Sequence, residues 1–518
     1  MTTRLNTRAG STVDAVDMFC GFGGSSQGIH RAGATVRVAA NHNQHAVDVH
    51  AANFPETDHH IADMLDSEHP SYMDPKDLPP ARFLWASPSC RHHSPANAKK
   101  LYRAERARNL LDLIEQAEGD DLYALSERSR VTMSCPLRYA DRHLPEVVVI
   151  ENVVEVAHWG PDRDGSTFQW WLREWEALGY DHECLFFNSM FFGVPQSRDR
   201  MFIVLWRKGN RRPDLEHRIP IDCPTCGDSQ AIQKWKPRKG SWPLPRWGKY
   251  RTQYTYACES CGLEVAPTVP GAWTAIDWSD LGPTIGERAK PLAPKTIDRI
   301  RRGFEKFQGA PSIIIPAAGN TFEHPGQVRA RPVDEPLWSQ TGTLQHGVAT
   351  RPFLIEMRGG GSVKAGQHDV TEPMHTITAG GFHHGLVTPL FTKLNGGPTA
   401  TTWHPISDRL NTITSRDTTG MMSMLLHPNG DTTSVADPHR TMVTTTKSGM
   451  ATTQPGPVDL DSVHFRMLKP DPELRAAMAF AQDFELFGTK TQMTAGLGNA
   501  VTPPVADWIT QRVLDTLG

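Results

Sequence analysis

The first 210 residues alternate short apolar runs with stretches of helical spacing, and this alternation limits what the chain can fold into more than any other feature. Strand-like runs fall at 13–19, 36–40, 82–86, 147–150, 183–188 and 201–206, while 26–31, 97–118 and 166–178 carry helical spacing. Strands that alternate with helices form a mostly parallel sheet covered on both faces, so the expectation is an α/β domain. Ligands of such sheets sit outside the carboxyl ends of the strands. The turns that follow the strands are therefore where chemistry is expected.

Five such segments stand out. Asp17-Met18-Phe19-Cys20-Gly21-Phe22-Gly23-Gly24 closes the first strand; its glycines let backbone approach a ligand, and the helix after it offers an N-terminus to a polar or anionic group. Trp85-Ala86-Ser87-Pro88-Ser89-Cys90 puts a thiol on a strand-to-loop turn, and the basic Arg91-His92-His93 beside it favours the thiolate. Val147-Val148-Val149-Ile150-Glu151-Asn152-Val153 delivers a carboxylate after four apolar residues, where a charge needs a partner. Pro195-Gln196-Ser197-Arg198-Asp199-Arg200 leads into a strand, and Gly498-Asn499-Ala500-Val501-Thr502-Pro503-Pro504 precedes the last helix. Singly, each has a plainer reading: a turn that only packs, a buried apolar cysteine, an ordinary surface loop.

In this order and spacing the five resemble the DNA (cytosine-5)-methyltransferase family, of prokaryotic or phage type, over residues 13–205 and 464–512. The resemblance implies a Rossmann-like class I methyltransferase domain that uses S-adenosylmethionine and acts on double-stranded DNA, with no membrane and no obligate protein partner. It also implies that a cytosine is flipped out of the duplex, because its ring is unreachable in the stack. Cys90 would then add to C6, Glu151 would bind the N3–N4 edge, and Arg200, with Arg198 beside it, would hold O2. Phe19, Gly21 and Gly23 would contact the donor, Asn41 its ribose and Asp63 its adenine, while Asn499 and Val501 would close the pocket from the C-terminus. Three features depart from the family pattern. Ser89 and Arg91 flank Cys90 where proline and glutamine are usual, and Asn41 stands where an acidic residue usually grips the ribose. The stretch 98–144 is long, and its basic run, Lys99, Lys100, Arg103, Arg106 and Arg108, either tracks phosphates or is a solvated face.

From Arg211 the texture changes. Cys223-Pro224-Thr225-Cys226 and Cys258-Glu259-Ser260-Cys261 form two C-x₂-C pairs 31 residues apart, each followed by glycine. Paired knuckles of this kind suit a structural zinc ribbon held by four thiolates, Cys223, Cys226, Cys258 and Cys261. Between them, Ser229 to Ala257 holds seven Lys or Arg and no acidic residue, interleaved with Trp235, Trp242, Trp247, Tyr250, Tyr254 and Tyr256. Such a patch either grips a phosphate backbone or supplies the core of the ribbon. Farther on, a degenerate repeat begins at Glu335, Glu372, Asp408 and Asp437, and twenty threonines lie between Thr371 and Thr453, a density that favours β structure.

The expected organisation is thus a catalytic segment over 1–210, a zinc-ribbon-like insert over 211–270, a β-rich target-recognition region over 271–460 and a return to the catalytic domain over 461–518. The net charge of −3 does not announce a polyanion partner, so any DNA surface has to be local. No apolar run approaches the ~20 residues that span a bilayer. Eight cysteines in 518 residues are too sparse for a disulfide scaffold. These features lead to the expectation of a cytoplasmic enzyme, in a bacterium or phage-infected host, associated with the nucleoid through DNA. Two rivals stay open: the same cysteine chemistry with a modified one-carbon donor or on RNA, and a zinc-containing DNA-binding protein on a degenerate methyltransferase scaffold.

Overall fold

The computed structural model describes residues 13–88, 132–160, 163–237, 243–278, 280–306, 312–316, 328–340, 342, 346–350 and 460–517, together with the backbone of short strands between 353 and 434. The chain divides into two compact units. The first comprises Met1–Pro270, Trp338–Thr343 and Leu474–Gly518, the second Gly271–Leu337 and Leu344–Glu473.

A seven-stranded sheet organises the first unit: β1 Asp14–Met18, β2 Thr35–Asn41, β3 Asp58–Ile61, β4 Phe83–Ala86, β5 Val147–Asn152, β6 Tyr180–Asn188 and β7 Asp199–Arg207. The order is β3-β2-β1-β4-β5-β7-β6; the first five are parallel, and β7 runs antiparallel to both neighbours. From β1 the chain builds outward to β2 and β3, then returns to place β4 on the other side of β1. That reversal opens a crevice at the carboxyl ends of β1 and β4, where α/β sheets bind ligands.

Alternate residues explain why the sheet is buried on both faces. Met18, Leu84, Ala86, Val148 and Ile150 face one apolar cluster; Ala15, Phe83, Trp85, Val147 and Val149 face another. The first face is covered by helices α3 Ser134–His143 and α4 Ser166–Ala177, through Tyr139, Phe168, Trp171 and Trp175. The second is covered by α1 Gly24–Ala32 and by a helix from the far end of the chain, Pro503–Leu514, through Ile29, Val505, Ile509 and Val513. Between these in sequence lie α2 Gln44–Asn53, after β2, and α5 Lys490–Asn499, so the terminal helix is α6.

The strands and α4 lie where the sequence pattern places them, with β6 starting three residues early at Tyr180. The expected helix over 97–118 falls outside the described residues. Residues 470–477 form a short helical segment, Pro470–Leu474 followed by Arg475–Ala477, and α2, β3, α3 and α5 had no expectation attached.

The segment holding the cysteine pairs forms a four-stranded antiparallel sheet, β8 Ile219–Cys223, β9 Gly227–Trp235, β10 Tyr254–Cys258 and β11 Glu264–Val265, in the order β11-β10-β9-β8. Expected as a separate insert, it belongs to the first compact unit. The reason is the aromatics: Tyr254 and Tyr256 are fully buried in the same cluster as Val148 and Ile150, with Trp235, Trp247 and Tyr250 packed against it. Of the two readings of the basic and aromatic patch, these five aromatics follow the core one; Trp242 lies outside the described residues.

In the second unit, the helix Pro294–Lys306 packs on an antiparallel sheet of Arg331–Pro332, Ser312–Pro316, His346–Thr350 and His464–Met467, in that order. Phe465 joins Ile313, Ile315, Ala349 and Phe304 in its core, and Arg466 forms an ion pair at 2.6 Å with the fully buried Glu473. These contacts keep residues 464–473 in the second unit, so the chain re-enters the first at Leu474 rather than at 461. Between 353 and 434 short strands pair antiparallel, Phe353–Glu356 with His384–Val387 and Leu390–Lys393 with Thr419–Met421. The repeat units at 372, 408 and 437 lie outside the described residues. No helix among the described residues is long and apolar enough to cross a membrane.

Candidate active site

At the carboxyl end of β1 the chain turns through Phe19, Gly21 and Gly23, all at positive φ (61°, 54° and 91°). Space around Gly21 is open, whereas a Cβ on Gly23 would stand 2.6 Å from the Phe54 ring and 2.9 Å from His50. Gly23 is thus needed for close approach, and Gly21 for a turn that leaves room above it. Beneath this loop runs a buried polar chain. Asp17 Oδ2 accepts hydrogen bonds from the Ser25 and Ser26 hydroxyls, both at 2.6 Å; the Ser26 hydroxyl also meets His50 Nε2 at 2.8 Å, and His50 Nδ1 meets His59 Nε2 at 2.8 Å. Burial pushes the Asp17 carboxyl up to about 6 and the His50 imidazole down to about 3. The chain ties β1, α1, α2 and β3 together at one level.

The next two strands add the other expected donor ligands. Asn41, the buried last residue of β2, accepts the Asn43 amide on Oδ1 at 2.9 Å; Asp63, two residues beyond β3, accepts the amides of Leu65 and Asp66, each at 3.0 Å. The Ala62 amide bonds the Asn41 carbonyl and the Cys20 amide bonds the Ala40 carbonyl, which sets the three loops side by side. Open space over Gly21 beside a helix N-terminus, with buried polar side chains on two adjoining loops, suits an elongated polar ligand such as S-adenosylmethionine.

The right-hand half is built by β4, β5 and β7. Cys90 lies outside the described residues, and the description of its loop stops at Pro88. Asn152, fully buried at the end of β5, donates to the Pro88 carbonyl at 3.3 Å and accepts the Val153 amide at 2.8 Å. Glu151 Oε1 lies 2.9 Å from Arg200 Nε, with both side chains mostly buried. They line a small cavity with Phe187, Ser189, Arg198, Phe202 and Val501. Here the two arginines part. Arg198 is buried and donates to three backbone carbonyls, those of Gln340, Gly498 and Ala500, at 3.0–3.1 Å. Its guanidinium clamps the C-terminal return onto the sheet, while Arg200 is the one that reaches Glu151.

Val501 serves two places. Its side chain lines that cavity, and its carbonyl rests against Gly24 so closely that a Cβ there would be 2.0 Å away. Asn499 is exposed at the last position of α5. Burial pushes the Cys135 and Cys184 thiols up to about 12 and holds Cys20 well above the usual thiol range, so these three behave as apolar packing groups.

The four knuckle cysteines converge, their Sγ atoms all within 4.8 Å of one another and those of Cys223 and Cys261 3.7 Å apart. Four thiolates around zinc at ~2.3 Å would stand about 3.8 Å apart, so the donor set and its size fit a closed structural site. The Ser229 hydroxyl and neighbouring amides draw Cys258 down to about 6, whereas Cys261 holds the proton on Cys226, up to about 12.

Sequence reasoning did not single out the His50–His59 chain, nor Asn152 or Arg198 as anchors of neighbouring loops. The signal for Asn152 was present in Glu151-Asn152-Val153; that for His50 was not, since its partners lie on a different helix and a strand.

Residues 13–120 and 124–238 match the family model for C-5 cytosine-specific DNA methylases. The chain is similar to the type II methyltransferase M.NgoBI of Neisseria gonorrhoeae, 25% identical over 189 residues, which is 36% of this chain and 49% of that protein. It is likewise 25% identical over 191 residues to M.HgiBI of Herpetosiphon aurantiacus, 36% of each chain. The matched region thus spans about half the length of the first relative and about a third of the second. Among solved structures, the methyltransferase EhMeth of Entamoeba histolytica aligns with a TM-score of 0.42 at 11% identity, over 98% of this chain and 100% of that one. Through residues 13–238, then, this chain is similar to the C-5 cytosine-specific DNA methylase family.

Proposed function

We propose that the chain methylates C5 of cytosine in double-stranded DNA, using S-adenosylmethionine and a covalent adduct of Cys90. The observation that carries this reading is the Glu151–Arg200 pair, 2.9 Å apart at the carboxyl edge of the sheet, with β4, which leads to Cys90, next to β5.

A cytosine flipped into this edge presents N3, N4 and O2 to the pair. The Cys90 thiolate adds to C6, and the electron pair released into the ring is delocalised towards N3 and O2. Glu151 bonds the N3–N4 edge and Arg200 bonds O2, so the charge that develops meets fixed partners that need little reorganisation. Bound S-adenosylmethionine would supply an electrophilic methyl group to C5, its sulfonium leaving as the neutral thioether. Loss of the C5 proton to a base then expels the thiolate and restores the aromatic ring. Asn152 holds the Cys90 loop through Pro88, and Arg198 holds the segment carrying Val501.

Phe19, Gly21, Gly23, Asn41 and Asp63 are the residues proposed to receive the donor, with Asn499 and Val501 closing from the C-terminus. The four cysteines are proposed to hold one structural zinc, residues 271–460 to read the target sequence, and the bacterial or phage-infected cytoplasm to be the site of action. Duplex DNA carrying 5-fluorocytosine tests the covalent step, because fluorine blocks the loss that frees the enzyme. The chain should form a denaturation-resistant adduct in the presence of donor, and Cys90→Ala should form none while still binding DNA. An adduct that survives in Cys90→Ala would move the nucleophile elsewhere.

A further inference from the structure

The cysteine-bearing ribbon has a second end. Its thiols gather where β8 meets β9 and where β10 meets β11, but the loop that joins β9 to β10 reaches the strands carrying Glu151 and Arg200. Trp247 Nε1 donates to the Val154 carbonyl at 2.9 Å, the Lys249 ammonium pairs with Glu155, and the Tyr250 amide donates to Asp199 Oδ1 at 3.1 Å. Val154 and Glu155 form the turn that leaves β5 just after Glu151, and Asp199 is the neighbour of Arg200 in β7. The Phe191 ring closes the gap, 4.7 Å from Tyr250 and 4.5 Å from Tyr256 between centroids. Gln233 on β9 adds a bond to the Phe186 carbonyl on β6 at 2.7 Å.

From these contacts we infer that the ribbon is a positioning element for the Glu151–Arg200 pair, with Lys249 and Trp247 as positioning residues and the bound metal as the pin at its far end. The inference rests on the reading that this pair binds the base. Its physical basis is tolerance: a reacting constellation has to be held to within about 0.5 Å, and side chains on strands are held only as well as their supports. A small antiparallel sheet is stable only with an apolar face to bury, and here that face lies against the core behind β5. Four thiolates on one ion fix the register of β9 against β10, and therefore the height at which Trp247, Lys249 and Tyr250 meet β5 and β7. Lys249 thus serves the protein: it is paired with Glu155, beside the site, and is withdrawn from any phosphate.

Amide hydrogen exchange and steady-state kinetics on the full chain test this with Lys249→Met, Lys249→Arg and Trp247→Phe. Lys249→Met should raise exchange at 151–156 and 199–202 at least tenfold and leave 14–41 unchanged. Its kcat should fall about tenfold with KM for DNA within twofold, and Lys249→Arg should restore both. Trp247→Phe, which keeps a ring but loses the donor, should show the same local pattern. Withdrawal of the metal by a chelator should reproduce it. If Lys249→Met leaves exchange at 151–156 unchanged and instead weakens DNA binding with a shallower salt dependence, Lys249 is a phosphate contact and the inference fails. Protection at 151–156 that persists after the metal has left overturns the role of the pin. The exchange measurement needs no turnover, so a chain that methylates nothing would refute the proposed function while leaving this test intact.

Discussion

Glu151 on β5 and Arg200 on β7 meet at 2.9 Å across an antiparallel strand pair, at the carboxyl edge of the parallel strands. A buried ion pair is weak evidence for stability, because desolvation offsets most of the attraction. Under the proposed function, its value is as a preformed pair of partners for a heterocycle. Glu151→Gln keeps the shape and removes the charge. It should lower kcat at least 100-fold with a change of unfolding free energy under about 1 kcal/mol, measured by single-turnover methylation and urea unfolding. Full turnover in this variant would remove Glu151 from the reaction.

Arg198 should behave in the opposite way. Its guanidinium is committed to the carbonyls of Gln340, Gly498 and Ala500, so Arg198→Met leaves buried acceptors without donors. We expect a loss of about 3 kcal/mol in urea unfolding. A variant of unchanged stability whose turnover alone is lost would show Arg198 acting on the base instead.

The strand run 147–150 was legible because four apolar residues in a row can only be a core strand here, and the acid that follows it had to find a partner. Which arginine it finds was not legible. Arg198 and Arg200 differ by burial against Gly498 and Ala500, some 300 positions away in sequence. The same limit hid α2 and β3: Gln44–Asn53 and Asp58–Ile61 mix histidines and acids with small residues and show no apolar stripe. Tyr254 and Tyr256 alternate like any exposed β-ribbon, and only the core behind β5 decides that they point inward.

The buried Asp17–Ser26–His50 chain makes a pH prediction. Asp17 is raised to about 6, so its contribution is present below the usual carboxylate range and is lost as pH rises through about 6. His50 is lowered to about 3, so its contribution is present above about 6.5 and is lost as pH falls towards 3. Between pH 4 and 6 the two oppose each other, and the native chain should show a flat dependence from this pair. Asp17→Asn removes one side: its stability should fall as pH drops from 6.5 to 4, by up to about 3 kcal/mol, in urea unfolding at each pH. Parallel profiles for both proteins would contradict the assignment.

Helix α1 meets α6 at Gly28, where a Cβ would stand 2.5 Å from Ala506 Cβ and 2.6 Å from the Pro503 carbonyl. Gly28→Ala should therefore push the terminal helix off the sheet and cost about 2 kcal/mol, although alanine is the better helix former. An increase in thermal midpoint would show that the two helices separate more readily than their packing indicates.

Zinc content checks the ribbon. One zinc per chain is expected by elemental analysis, with Cys258→Ser lowering both metal content and thermal midpoint; a folded protein free of zinc would refute the site.

The central claim is the reaction itself. The full chain, duplex DNA and methyl-labelled S-adenosylmethionine should be incubated together, and the DNA digested to nucleosides for mass analysis. The account predicts labelled 5-methyldeoxycytidine, absent with Cys90→Ala. Label on an exocyclic nitrogen, label found only when RNA replaces DNA, or unmodified cytosine across varied duplexes would contradict it.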